Sequence, residues 1–149
     1  MAKVRILPTS AFAASMKRAS SGAAAVDCYA CITEKVVIYP GESTMIDLGF
    51  KMEIADPDVC AVLLPRSGLG TKGIVLRNLV GLIDSDYRGP VKACIWNTDP
   101  NDEFVINPHD RICQMMFLPV IQPEFEIVEE LGVSDRGEGG FGSSGVSVH

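Results

Sequence analysis

Short runs in which apolar and polar residues alternate recur along this chain, and most are closed off by proline, glycine or aspartate. Val4 to Leu7 reads as a first strand ending at Pro8. Strand-like runs follow at Val26 to Ile32, Val36 to Tyr39, Thr44 to Ile54 and Val59 to Leu64, separated by Pro40-Gly41 and by Asp56-Pro57-Asp58. Beyond the middle of the chain come Glu103 to Ile106, a turn at Asn107-Pro108, the run Arg111 to Val120, and a last strand at Glu124 to Glu129. Turn signals spaced by about 8 to 12 residues predict an all-β sandwich or barrel. The Ala/Ser-rich stretch from Ser10 to Ala25 reads as a loop with one helical turn around Phe12 to Arg18, and no helix longer than two turns is expected.

The stretch VLRNLVGLIDSDYRGPVKACIWN, from Val75 to Asn97, organises the rest. An apolar run (Leu79, Val80, Leu82, Ile83) meets a polar knot from Asp84 to Pro90, and an alternating run follows in which Val91, Ala93 and Ile95 face away from Lys92, Cys94 and Trp96. The pattern predicts a β-hairpin with its chemistry at the tip. A carboxylate at the end of a near-continuous apolar strand is costly to bury unless it is used or paired, which makes Asp84 a candidate, although on composition alone a solvated acidic turn is the more ordinary reading.

Three further segments carry chemistry-bearing residues. PRSGLGTKG, from Pro65 to Gly73, offers the guanidinium of Arg66, the hydroxyl of Ser67 and glycines that let amides turn inward as an anion nest, although a plain β-turn has the same composition. HDRICQMMF places Arg111 and Gln114 at the start of a buried strand, and AAAVDCYA sets Asp27 inside an apolar run. The tail from Ser134 to His149 is glycine-rich and cannot pack a core of its own. A frayed terminus and a strip that closes over an anionic, aromatic ligand both fit its composition.

Composition narrows the function classes. Thirteen basic against nineteen acidic residues give a net charge of −6, which argues against nucleic-acid or anionic-membrane partners, because both select a positive field. Five cysteines are an odd number scattered through strand-like runs, so a reducing, cytoplasmic setting is expected rather than a disulfide framework. Cys28 and Cys31 have CxxC spacing without a second pair, and in a strand they point to opposite faces, which disfavours zinc or redox work. The start has too short an apolar segment for a secretory signal, and no run approaches the roughly 18 apolar residues of a membrane span.

In order, AAVDCYA, PRSGLGTKG, NLVGLIDSDYRG, HDRICQ and RGEGGFGSSG resemble the five sequence motifs of the trimeric dUTPases, the deoxyuridine 5′-triphosphate nucleotidohydrolases. The match runs from Ala24 to Gly145, and LVGLIDSDYRG and DRGEGGFG are most similar to the bacterial members. The resemblance implies a distorted jelly-roll or β-barrel of the β-clip kind over residues 1–133, a flexible C-terminal arm over 134–149, and a homotrimer with shared active sites. It implies hydrolysis of dUTP to dUMP and pyrophosphate by Mg²⁺-dependent attack of water on the α-phosphorus, which keeps uracil out of DNA and supplies dUMP for thymidylate synthesis.

Carried over by position, Asp84 matches the carboxylate that orients and deprotonates the water, and Tyr87 the ring under the deoxyribose that leaves no room for a 2′-hydroxyl. Asn78, with the backbone of Leu82, Ile83 and Asp84, matches the element that reads uracil, and Lys92 falls where a substrate contact is expected. Arg66, Ser67, Gly68 and Gln114 match phosphate-binding residues, and Asp27 the carboxylate that touches Mg²⁺ through water. Arg136 would contact the phosphates, Phe141 would stack on uracil, and Gly142, Ser143 and Ser144 would wrap the γ-phosphate. Arg111 is expected to support the site or the subunit interface. The chain departs from the family pattern at Ala25 and His109, both in place of glycine, and in a second motif one residue short; at a φ > 0 position His is among the better tolerated substitutes. The rivals are a dCTP deaminase-like enzyme, which would lack the RGEGGFGS tail, and a non-catalytic nucleotide-binding β-barrel.

Overall fold

The computed structural model describes residues 3–13 and 16–140. Ten strands and one helical turn follow in order: β1 (Val4–Pro8), β2 (Val26–Tyr29), β3 (Val36–Ile38), β4 (Ser43–Ile54), β5 (Val59–Leu64), α1 (Ser67–Gly70), β6 (Ile74–Leu76), β7 (Gly81–Ile83), β8 (Pro90–Asn97), β9 (Phe104–Ile106) and β10 (Arg111–Pro119). One four-stranded sheet has the order β1-β4-β8-β6, a second β2-β10-β5-β7, and β3 pairs with β9. Every pairing is antiparallel. Among the described residues no helix is long and apolar enough to cross a membrane.

The alternation in the sequence is what builds the core. In β4, Ile46, Leu48, Phe50, Met52 and Ile54 are buried on one face. They meet Val91, Ala93 and Ile95 of β8, Leu63 and Met115 of the second sheet, and Ile38 and Ile106 of the third in one cluster. The expected all-β fold is therefore observed, with side chains from all three sheets facing a common interior. Gly49 breaks the rhythm of β4 for a backbone reason: its φ is +79°, its amide donates to Asp47 Oδ1 at 2.7 Å, and a Cβ would strike Ser10 and Cys31.

Three expectations are corrected. The stretch from Val75 to Asn97 is not a hairpin: β7 pairs with β5 (Ala61↔Ile83, Leu63↔Gly81), whereas β8 pairs with β4 and β6. Residues 84–89 therefore connect two sheets, because the period-two pattern identifies strands but not their neighbours. Glu124–Glu129 forms no strand; Phe125 and Ile127 are exposed, and alternation alone cannot make a strand without a partner edge. The run from Val26 is a strand only to Tyr29, after which Ala30 and Cys31 donate their amides to Asp110 O and Asp47 O. The turn expected around Phe12 to Arg18 falls partly outside the described residues. His109 does take the left-handed conformation, with φ 69°, and its ring stacks on Phe12 at 3.7 Å between centroids.

Among the described residues the one buried polar side chain is Asn97, at the end of β8. Its Nδ2 donates to Ile38 O (3.0 Å) and Asp102 O (2.8 Å), and its Oδ1 accepts from the Asp99 amide (3.0 Å). The side chain thus ties β3, β8 and the 99–102 turn into one unit, with both amide hydrogens donated and the oxygen accepting once. Asn97→Ala strands the two carbonyls and the amide, and is expected to cost about 2 to 4 kcal/mol of stability, read as a lowered urea midpoint. A loss under about 1 kcal/mol would show that water replaces the amide there.

Candidate functional site

One cavity of about 350 Å³ is lined by Asn78, Leu82, Ile83, Asp84, Tyr87 and Lys92, together with Met45, Leu63, Gly81, Pro90 and Val91. Six residues of the third motif and its flank, chosen from sequence as substrate contacts, thus share one wall. The turn from β6 to β7 shapes the mouth. Leu79 has φ 62°, a strained conformation for leucine, and its amide donates to Leu76 O while that of Val80 donates to Asn78 O at 2.7 Å. The corner presents Asn78 at the rim. Gly81 is required for the opposite reason: a Cβ would lie 3.0 Å from that of Leu63, so the close approach of β7 to β5 excludes a side chain.

Asp84 stands exposed at the end of β7, on the rim of this cavity rather than buried as its apolar neighbours suggested. The chain then turns, with the Tyr87 amide donating to Asp84 O at 3.2 Å. The Tyr87 hydroxyl donates to Pro90 O at 3.1 Å. Arg88 Nη1 donates to Ser85 O (2.8 Å) and Tyr87 O (3.2 Å), and Arg88 Nη2 lies 4.0 Å from Glu53, which Arg5 also grips. The loop holding Asp84 and Tyr87 is therefore braced from its outer side by a guanidinium, a more rigid brace than a lysine would make.

A second cluster gathers Asp27, Arg66, Arg111 and Gln114. The Asp27 carboxylate bridges two guanidinium groups, accepting from Arg66 Nε at 2.8 Å and from Arg111 Nη1 at 3.2 Å. Gln114 is opposite Asp27 on β2 and opposite Leu64 on β5, and its Nε2 donates to Pro65 O at 2.9 Å. A bulge between Arg111 and Cys113 sets that register. Without the extra residue, Cys113 rather than Gln114 would face Asp27. Asp27 is thus flanked by two guanidinium groups, and Asp110 lines the same pocket as both arginines.

The second motif differs from an anion nest. Ser67–Gly70 is a helical turn in which Leu69 and Gly70 donate their amides to Arg66 O and Thr71 to Ser67 O. What it offers outward is the Arg66 guanidinium and the exposed Ser67 and Gly68. Cys28 is buried, and a hydrogen bond with Cys113 followed by burial push its thiol well above the ordinary cysteine range. It is a packing residue. Among the described residues no group of three or more His, Cys, Asp or Glu side chains is arranged to hold a metal. Asp27 is the carboxylate that stands among the phosphate-type residues, and its oxygens retain lone pairs for water-mediated contact.

The two clusters do not meet within one chain. Ile83 is level with Ala61, and the extended chain from Ala61 to Arg66 spans about 17 Å, with Asp84 lying still farther the other way. Arg136 sits in an exposed turn, its Nε donating to Gly139 O at 2.8 Å. Phe141, Gly142, Ser143 and Ser144 lie outside the described residues. Met45, contributed by β4, belongs to no motif and was missed; it is exposed at an outward position of an otherwise regular strand, a signal too common to single it out.

Comparison with known proteins agrees with this geometry. The model of the dUTPase family matches residues 12–145. The deoxyuridine 5′-triphosphate nucleotidohydrolase of Sodalis glossinidius is 56% identical over 128 residues, covering 85% of this chain and 84% of that protein. The structure of Staphylococcus bacteriophage 80alpha dUTPase with dUPNHPP superposes with a TM-score of 0.84 at 28% identity, covering 97% of this chain and 99% of that one. A mutant dUTPase from phage phi11 of S. aureus, described as revealing the coordination of a structural Mg(II) ion, shares the fold with a TM-score of 0.75 at 23% identity, over 86% of this chain and 97% of that one. A family match across nearly the whole length, and relatives identical at more than half of the aligned residues, leave one conclusion: the chain belongs to the dUTPase family.

Proposed function

We propose that the protein hydrolyses dUTP to dUMP and pyrophosphate, and that the observation carrying this is the cavity that gathers Asn78, Leu82, Ile83, Asp84, Tyr87 and Lys92. Its narrow, largely apolar slot suits a pyrimidine ring. Asn78 and the backbone of Leu82 to Asp84 supply the donors and acceptors that tell uracil from cytosine, a mismatch that discriminates more strongly than shape. The Tyr87 ring packs the deoxyribose. Asp84, on the rim, orients a water toward the α-phosphorus and takes its proton as the bond to the leaving pyrophosphate breaks.

The phosphates fall to Arg66, Ser67, Gly68 and Gln114. Asp27 would hold Mg²⁺ through water, and the ion would neutralise phosphate charge, which suits a small cation that keeps much of its hydration and needs few protein ligands. Since Asp84 and Arg66 lie at opposite ends of β5, a complete site takes them from different chains, and the assembly is a homotrimer. Residues 134–149 act as an arm, with Arg136 on the phosphates, Phe141 on the base and Gly142 to Ser144 around the γ-phosphate. Residues 1–133 form the body of the domain, and the setting is cytoplasmic.

Asp84→Asn is expected to lower kcat by about 10² to 10⁴ with the fold intact, measured as pyrophosphate release from dUTP. Unchanged turnover removes Asp84 from its role, and ammonia released from dCTP instead would select the deaminase chemistry. Co-expressing Asp84→Asn with Arg66→Ala chains tests the shared site. Random mixing gives roughly one site in four with both residues intact if they come from different chains, and recovered activity in that range is expected. No recovery means each chain carries its own site. Removal of residues 135–149 is expected to abolish efficient turnover while the trimer, sized in solution, persists; a fully active truncated protein removes the arm from the mechanism.

A further inference from the structure

Tyr87 is held by its neighbours in a way that none of the motif roles accounts for. A Cβ built on Gly89 would fall inside the van der Waals envelope of the Tyr87 hydroxyl and Cζ, with Cε2 only 3.0 Å away. The phenol thus lies across the bare α-carbon of Gly89. Its hydroxyl donates to the carbonyl of the next residue, Pro90, at 3.1 Å. Arg88 fixes the backbone side of the same ring by donating to Tyr87 O at 3.2 Å.

Gly89 is not there for its own backbone. The described glycines with positive φ are Gly41, Gly49, Gly73 and Gly137, so an L side chain at 89 fits the main chain without strain. What it does not fit is the ring. Tyr87 is 45% exposed and lines the cavity, so a methyl at position 89 can be relieved by the ring swinging away, which breaks the bond to Pro90 and costs the fold little.

We propose that Gly89 is a specificity-determining residue: by carrying no side chain it seats the Tyr87 ring against Pro90, and so sets how strictly the site distinguishes a 2′-deoxy from a 2′-hydroxy nucleotide. The proposal rests on the reading of Tyr87 as the ring that packs the sugar. Gly89 itself touches no substrate. It acts through Tyr87, as a positioning residue.

The test is kcat/KM for dUTP and for UTP, measured by pyrophosphate release with Mg²⁺, in the unaltered trimer and in Gly89→Ala, Tyr87→Ala and the double variant. Gly89→Ala is expected to lose about tenfold or more of its preference for dUTP, within the range that one mispacked methyl-sized group commands, with its melting temperature little changed. The double variant is expected to fall no further than Tyr87→Ala, because both changes remove the same contact. A preference within twofold of the unaltered protein in Gly89→Ala, when Tyr87→Ala has lost it, overturns the role of Gly89 and leaves that of Tyr87 standing. A preference unchanged in both overturns the sugar-packing reading along with it. Strictly additive losses overturn action through Tyr87. Tyr87→Phe keeps the glycine and cuts the tie to Pro90, and is expected to lose about threefold, the worth of one exposed hydrogen bond; no loss counts against the seat from its other side.

Discussion

Antiparallel pairing of β5 with β10 on one side and β7 on the other is the constraint on which the rest of the molecule depends. It sets Gln114 beside Leu64 and leads directly into Arg66, and at its other end it places Asp84 beyond Ala61. A paired strand is a stiff spacer, and this one is too long for any side chain to bridge. The two groups of functional residues are therefore each well formed and mutually out of reach. Under the proposed reading the two halves are completed against another copy of the chain, and closed rotational symmetry would bring both together at every interface.

The charges follow the same logic. Asp27, Arg66 and Arg111 are partly exposed, and ion pairs in such positions add little to stability. Their value is placement. With both of its oxygens accepting from guanidinium groups, Asp27 holds Arg66 and Arg111 at a set spacing while cancelling only one of their two charges. A net charge of −6 disfavours polyanions at long range, and the phosphate contacts proposed for Arg66 would act at short range, where screening is weak.

Much of this was legible in the sequence, and the pattern of misses is physical. Strand positions in β4, β5, β8 and β10 were readable because each buries one or both faces, and the side-chain period records burial. Partners were not readable. The apolar run before Asp84 and the alternating run after Pro90 look like two arms of a hairpin, but β7 joins one sheet and β8 the other, and nothing in either run encodes that choice. The third-motif residues were found by identity of residues, and their convergence on one cavity came from the turn at Leu79 and the bare Gly81, where local strain and a missing side chain decide the shape. The helical turn at Ser67–Gly70 hid behind glycines that also suit a loop. Glu124–Glu129 has the alternation of a strand with Phe125 and Ile127 fully displayed, a pattern that records a surface to be covered without saying by what.

Exposure of Asp84 in the single chain carries a final consequence. A carboxylate in bulk water is well solvated, and that solvation competes with any role in ordering a single water molecule. Beside it the cavity lining carries exposed Met45 and Leu82 among the polar Asn78, Tyr87 and Lys92, and Leu79 and Val80 are exposed in the turn that leads into β7. Such a rim gains by being covered, whether by a base lying in the slot or by a neighbouring chain, and covering it removes the solvent that weakens the electrostatics beneath. In the role proposed for Asp84, ligand binding and subunit assembly would both change its surroundings through one patch of surface. The apolar groups left exposed on the isolated chain are the ones that would shield Asp84 in its proposed role once they are covered.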